Sequence, residues 1–305
     1  MQLKIITAIL IFFIAFSKLN AQHLFPVYSQ YMLNGLALNP AYAGSRDVFN
    51  ITLGYRNQWV GFDGAPVSQT LSMHAPMRNE NVALGIFLNN EQIDVRNNTS
   101  LYFNYAYRIP AGRGRLALGL KAGGISRSAN WSRISLHDPG DMVFSEPATH
   151  DMLPNIGFGI YYYTGRFFLG ASVPYFLSDS TRNGKAVIYH DYSNYNYLVT
   201  AGFVTGSRGF KIKPSFLVKY NENHPVQVDA NLSFILGDLI WIGASYRIED
   251  ALVGLVKIQI NDRLRLGYTY DYSMGKLSSY HSGSHEIALI YDFRFRVSAV
   301  NPRYF

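Results

Sequence analysis

Catalysis needs a nucleophile, a base or a metal set at fixed spacing, and this sequence offers few of them. His285-Glu286 begins like a zinc-binding helix but has Leu289 where the second histidine belongs. It opens an alternating segment and reads instead as a polar pair on the inner rim of whatever that segment encloses. His137-Asp138 and His150-Asp151 fall in one long loop and are the nearest approach to a metal donor set, against the plainer reading of a solvated polar loop. The chain has no cysteine, which removes disulfides, thiolate metal sites and thiol nucleophiles. It also has no G-x-x-x-x-G-K-[ST] and no G-x-S-x-G. The reading is therefore a non-enzymatic protein with no catalytic residues, metal or cofactor. Its eight histidines keep a rim-sited enzyme as a third hypothesis.

The chemistry that is present is charge at alternate positions. Arg56, Arg108, Arg115, Lys121, Lys211, Lys213, Lys219, Arg247, Arg263, Arg265, Arg294 and Arg296 share one face of their segments with a smaller set of acids, Asp229, Asp271, Glu286 and Asp292. Two readings stand: an electropositive interior for an acidic peptide or anion, or an internally paired network filling a closed lumen.

The elements that must position these residues are strands. Over Arg263 to Tyr272, odd positions (Arg263, Arg265, Gly267, Thr269, Asp271) are polar or small and even positions (Leu264, Leu266, Tyr268, Tyr270, Tyr272) are apolar or aromatic. The same period of two runs through 100–109, 115–123, 226–234 and 286–296, with weaker cases near 48–57, 67–77, 80–89, 155–163, 166–175, 195–205, 210–220, 240–248 and 251–260. That makes about fourteen segments, each near the roughly 9–11 residues a tilted strand needs to cross a bilayer. Short turns built on Gly, Asn and Asp alternate with longer loops at 58–66, 90–98, 127–154, 178–194, 221–225 and 274–283. Long connections on one rim and short ones on the other mark an outer-membrane barrel. A secreted sandwich alternates too, but its strands are usually shorter. Tyr (23) and Phe (20) are abundant, as an aromatic girdle requires, and the chain ends on Tyr304-Phe305. The expected fold is all-β: a transmembrane antiparallel up-and-down β-barrel of about 14 strands.

Export is written at the start. Lys4 precedes the apolar run Ile5 to Phe16, and cleavage after Ala21 defines a secretory signal peptide over 1–21. No cysteine follows for a lipoprotein. Loss of Lys4 and Lys18 lowers the formal charge from +7 to +5, a modest excess that points to no nucleic-acid partner. The remaining organisation is a leader over 22–47 and the barrel with a C-terminal tail over 48–305. Pro26, Pro40 and Gly44 break any regular element in the leader, and its aromatic density suits packing in the lumen or on the periplasmic rim. Within it Tyr28, Gln30, Tyr31, Asn39, Pro40 and Tyr42 are the candidate packing residues. On the surface, Arg56, Gln58, Trp59, Phe62 and Asp63 form the candidate partner-binding set; Trp59 reads equally as a girdle residue.

Gln30-Tyr31-Met32 followed by Asn39-Pro40-Ala41-Tyr42-Ala43-Gly44 resembles the opening of the PorP/SprF family, outer-membrane proteins of the type IX secretion system in Bacteroidota. The blocks 56–66, 154–159, 170–174, 213–215, 267–271 and 284–287 resemble it in the same order. Gly35 stands where many relatives carry proline. The resemblance implies a Sec-exported outer-membrane barrel in contact with lipid, which helps secrete or hold a surface protein or gliding adhesin and meets a periplasmic, peptidoglycan-associated secretion component. The leading expectation is that docking role. The runner-up is a passive channel for a small solute, anions included.

Overall fold

A computed structural model describes residues 29–131, 148–182, 185–207, 209–275 and 277–293. The signal-peptide segment 1–21, Tyr28, His137-Asp138, Arg294, Arg296 and Tyr304-Phe305 lie outside these residues.

Among the described residues, fourteen antiparallel strands close into a barrel. In chain order they are β1 (Phe49–Asn57), β2 (Val67–Pro76), β3 (Val82–Ile93), β4 (Arg96–Ala111), β5 (Gly114–Asn130), β6 (Ala148–Tyr163) and β7 (Phe167–Val173), then β10 (Tyr197–Phe203) continued by β11 (Thr205–Ser207), and β12 (Phe210–Asn221), β13 (His224–Leu236), β14 (Ile240–Arg247), β15 (Ala251–Gln259), β16 (Leu264–Ser273) and β17 (Ser284–Phe293). Segments β10 and β11 both pair with β12, so they are one strand interrupted at Val204. Each strand pairs with the next, and β1 pairs with β17 from Phe49↔Phe293 to Asn57↔His285, which closes the ring. Closure leaves no sheet edge to satisfy in hydrocarbon, the condition for a strand protein to span a membrane. A hairpin of β8 (Ser178–Arg182) and β9 (Lys185–Tyr189) forms a separate two-stranded sheet between β7 and β10, with β9 against β6.

The alternation sorts the two faces as the sequence implies. On β16, Arg265, Gly267, Thr269 and Asp271 are buried inside, while Leu266 and Tyr268 lie on the outer face. Phe103, Tyr105 and Tyr107 of β4 and Leu118 and Leu120 of β5 extend the outward apolar band that meets lipid.

The wall is uneven. β4, β5 and β6 have 16, 17 and 16 residues, well past the roughly 9–11 needed to cross. Their other ends meet at short turns, so the excess rises on the long-loop rim, the extracellular one in such barrels. This corrects the loop expected at 90–98: residues 90–93 and 96–98 pair as strand, leaving a two-residue turn at Asp94-Val95. Asp94 supplies the positive φ (52°) that the tight turn requires. The loop expected at 221–225 contracts similarly to the turn joining Asn221 to His224.

Candidate functional site

The lumen is filled by the segment before β1. Three short 3-10 turns, Ser29–Met32, Gly35–Ala37 and Pro40–Tyr42, fold it into the barrel. Pro40 starts the third turn, and Asn39 caps it by accepting the Ala41 N–H at 2.9 Å. The turn Pro40–Tyr42 packs on β4, β5 and β6, and Gly35–Ala37 on β3. Leu36, Ala41, Tyr42 and Ala43 form one buried cluster with Ala83, Ala106, Ala117, Tyr161 and Tyr163 of the wall.

Small residues in the wall make this possible. A Cβ on Gly119 would stand 2.1 Å from the Ala41 nitrogen, one on Gly159 2.0 Å from Asn39 Oδ1, and one on Gly267 2.8 Å from Leu33 Cδ1. The wall is thus hollowed to the main chain of the plug at Gly119 and to its side chains at Gly159 and Gly267, where van der Waals contact begins at about 3.5 Å. Polar contacts fix its register. Asn39 Nδ2 donates to the carbonyls of Ile160 and Ala171, Ser172 Oγ donates to Leu38 O at 2.8 Å, and Ser72 Oγ donates to Asn34 Oδ1 at 3.0 Å. Lower down, Gly44 N donates to His74 Nδ1 at 3.1 Å, and Arg108 donates to Gly44 O at 2.6 Å, to Asp47 at 2.7 Å and to Glu80 O. Beside the plug lies a cavity of about 50 Å³ lined by Tyr31, Leu38, Asn39, Phe168 and Lys213 among others. At about 10–15 Å³ of such space per water, it holds a few waters.

Above the plug, arginine and carboxylate join across the barrel. Arg56 donates to Glu286 and Asp271, both at 2.9 Å; Arg247 meets Asp271 at 3.6 Å, Asp229 at 3.0 Å and Asp250 at 3.0 Å. Five strands (β1, β17, β16, β14 and β13) are thereby linked. Below it, Asp292 receives Arg46, Arg265 and, at 2.7 Å, Asn50. Of the predicted lumen charges, Arg108, Lys121, Arg247, Arg265, Asp271, Glu286 and Asp292 are buried inside. Arg263 is not: it is exposed on the turn before β16, because pairing starts one residue later, at Leu264. Arg115 and Lys211 also sit at the periplasmic rim, paired with Glu80 and Asp238.

The partner-binding set divides. Arg56 is buried in the lumen network, so it offers nothing to an external partner. Gln58 and Trp59 are half-buried, and Phe62 and Asp63 are exposed. Their loop is tied to two neighbours. Val60 N donates to Gly283 O and Ser282 N to Val60 O, both at 2.8 Å; Asp94 N donates to Gly64 O at 3.0 Å. The Trp59 ring lies 6.0 Å from His281 and 6.4 Å from Phe62. Trp59 itself takes a positive φ of 49°, a strained position for a bulky residue. Loops 58–66 and 274–283 and the Asp94 turn therefore make one ordered platform with Phe62 and Tyr280 exposed.

His285 and Glu286 do not face the lumen together. Glu286 points inward, whereas His285 lies on the outer side with its ring Nδ1 2.7 Å from Tyr268 OH, since adjacent strand residues face opposite ways. Among the described residues no group of three His, Cys, Asp or Glu is placed to hold a metal. Of the leader residues, Tyr31, Asn39, Pro40 and Tyr42 line the plug; for Gln30 the backbone lies in the first 3-10 turn. Sequence reasoning missed the inward aromatics Tyr102, Tyr161, Tyr163 and Trp241. The signal was available for Tyr102, which shares the parity of Arg108.

The family described as Type IX secretion system membrane protein PorP/SprF matches residues 20–291. The chain belongs to this family. It is an outer-membrane β-barrel component of the type IX secretion system. No curated protein matches it. Among solved structures, the CymD monoaromatic hydrocarbon channel is similar at 12% identity over 90% of this chain and 95% of that one, with a TM-score of 0.52. The outer membrane protein Omp33 of Acinetobacter baumannii is similar at 9% identity over 81% of this chain and 98% of that one, with a TM-score of 0.46. At 12% identity the likeness to CymD concerns the barrel fold alone.

Proposed function

We propose that this PorP/SprF protein is a non-enzymatic docking barrel. Its extracellular platform of loops 58–66 and 274–283 holds a secreted surface protein or gliding adhesin. Its periplasmic rim meets a peptidoglycan-associated secretion component. The reading is carried by the filled lumen: with residues 29–47 packed from wall to wall, the outward-facing ordered surface is the rim. Exposed aromatics on an ordered scaffold, Phe62 beside Trp59, are the residue types that anchor interfaces.

Affinity purification of the intact barrel from native outer membranes tests this. A large surface protein should co-purify with the wild type and be lost from Phe62→Ala/Tyr280→Ala, which leaves the barrel folded. Recovery of the barrel alone from native membranes overturns the reading. A passive channel makes the opposite prediction, steady conductance of the wild-type protein in planar bilayers.

A further inference from the structure

The plug and the lumen do not match in charge. Residues 29–45 carry no charged side chain; Arg46 is the first. Yet they pack among buried lysines. Lys121 Nζ lies 4.3 Å from the Tyr102 ring centroid and 4.1 Å from that of Tyr175, and Lys257 Nζ lies 4.1 Å from Trp241. Among the described residues neither lysine makes an ion pair. The carboxylates around them are committed elsewhere: Asp229, Asp271 and Glu286 to Arg56 and Arg247, and Asp292 to Arg46 and Arg265. Glu91 faces the lumen too and accepts from Ser68 at 3.5 Å. Next to Lys121 across the β4–β5 ladder stands Asn104, buried, with neither side-chain atom hydrogen-bonded.

A buried ammonium is costly unless an anion meets it, and a ring face offsets only part of that cost. Intramembrane charges that structure leaves unmatched mark a path or a ligand. The wall beside these lysines is cut back for a chain segment: Gly119 admits the plug backbone at Ala41, and Gly159, Gly170 and Gly267 admit its Asn39 and Leu33 side chains. We propose that Lys121 and Lys257 form a binding site for an acidic extended peptide segment, which replaces the neutral residues 29–45 when it enters the lumen. The plug is then a placeholder that keeps the membrane closed. Ala37 marks the exchange: it is buried against Phe87 and Tyr102, the latter one of the rings that hold Lys121. This inference shares the filled lumen with the rim-platform reading, but the two are tested at different surfaces, and either can fail alone.

The absence of cysteine makes the test direct. Ala37→Cys places a single thiol in the buried plug, and its maleimide labelling rate reports plug departure. The full-length barrel is labelled in detergent at low salt with an oligoglutamate of about ten residues, with oligolysine, and with free glutamate. Oligoglutamate should raise the rate about tenfold, a 1.4 kcal/mol shift, and the effect should fade as salt rises. Oligolysine and free glutamate should not raise it. In the same background Lys121→Met/Lys257→Met should abolish the response and Lys121→Arg/Lys257→Arg should keep it. Equal acceleration by oligolysine or free glutamate, no acceleration by oligoglutamate, or an unchanged response in the methionine variant overturns the proposal. If the methionine variant does not fold, as judged by loss of the heat-modifiable gel shift, the peptide comparison on Ala37→Cys alone still decides.

Discussion

Asn39 Nδ2 donates to the carbonyl oxygen of Ile160 at 2.9 Å, and the same side chain accepts from the Ala41 amide. One residue thus caps the last turn of the plug and pins it to β6; a longer contact to Ala171 O, 3.3 Å, reaches β7. Asn39→Ala leaves the Ala41 N–H without its side-chain acceptor. The expected cost is about 1–3 kcal/mol, the usual penalty for orphaning a buried group. It should fall on the plug, so hydrogen exchange at 35–44 should speed up while exchange in β4 and β5 stays slow. Uniform acceleration through the wall would show that Asn39 supports the barrel rather than the plug.

Gly119 is a steric requirement of a different kind. Its backbone φ is ordinary, and what excludes a side chain is the plug, with the Ala41 nitrogen 2.1 Å from any Cβ. Gly119→Val should unseat the segment at a cost of about 1–3 kcal/mol from overpacking. Conductance in planar bilayers should then rise above that of the wild type. Gly254→Val is the control, because nothing lies within 4 Å of a Cβ there. A folded Gly119→Val barrel as tight to ions as wild type would mean the wall yields instead.

Much of the barrel could be read from period two alone, because lipid outside and a polar lumen inside impose opposite demands on successive residues. What period two cannot give is height. Residues 89–92 and 96–98 are polar on both faces above the bilayer, so Asn89, Glu91 and Asn98 lose the alternating signal although they pair as strand. Nor could it place Arg56 and Trp59 apart. They are three residues from each other in a block that reads as one motif, but strand β1 ends at Asn57, so Arg56 obeys the wall and Trp59 obeys the loop. The plug was legible as packed material. Its partners were not, because Gly119, Gly159 and Gly267 look like ordinary small inward residues until the segment that needs them is in place.

The Arg56 network gives an asymmetric expectation. Removing one partner of a buried pair strands the other, at about 3–5 kcal/mol, while replacing both with apolar or neutral groups costs far less. Arg56→Met should therefore lower stability to urea in reconstituted liposomes by about that much. Arg56→Met/Glu286→Gln should recover part of the loss, the remainder reflecting Asp271, which Arg56 also holds. Strict additivity of the two single changes would show that the pair is not coupled in the folded barrel.

The platform should respond to acid through His281. Burial lowers the pKa of this histidine from its ordinary value of 6.5. Its Nδ1 accepts the Gly283 amide at 2.9 Å, which assigns the neutral tautomer with the proton on Nε2. The unfolded loop takes up a proton near pH 6.5 and the folded loop does so only at lower pH. Below pH 6.5 the unfolded form therefore binds more protons, and local stability falls with acidification until the folded-state pKa is passed. Protonation also removes the acceptor that Gly283 uses, and Gly283 holds Val60 through its carbonyl. Loops 58–66 and 274–283 should separate as pH drops from about 7 to about 5. Proteolysis within them should quicken over that range in wild type. In His281→Gln, whose amide oxygen can still accept and does not titrate, the cleavage rate should be flat. An equal acid response in the variant would move the switch to another group.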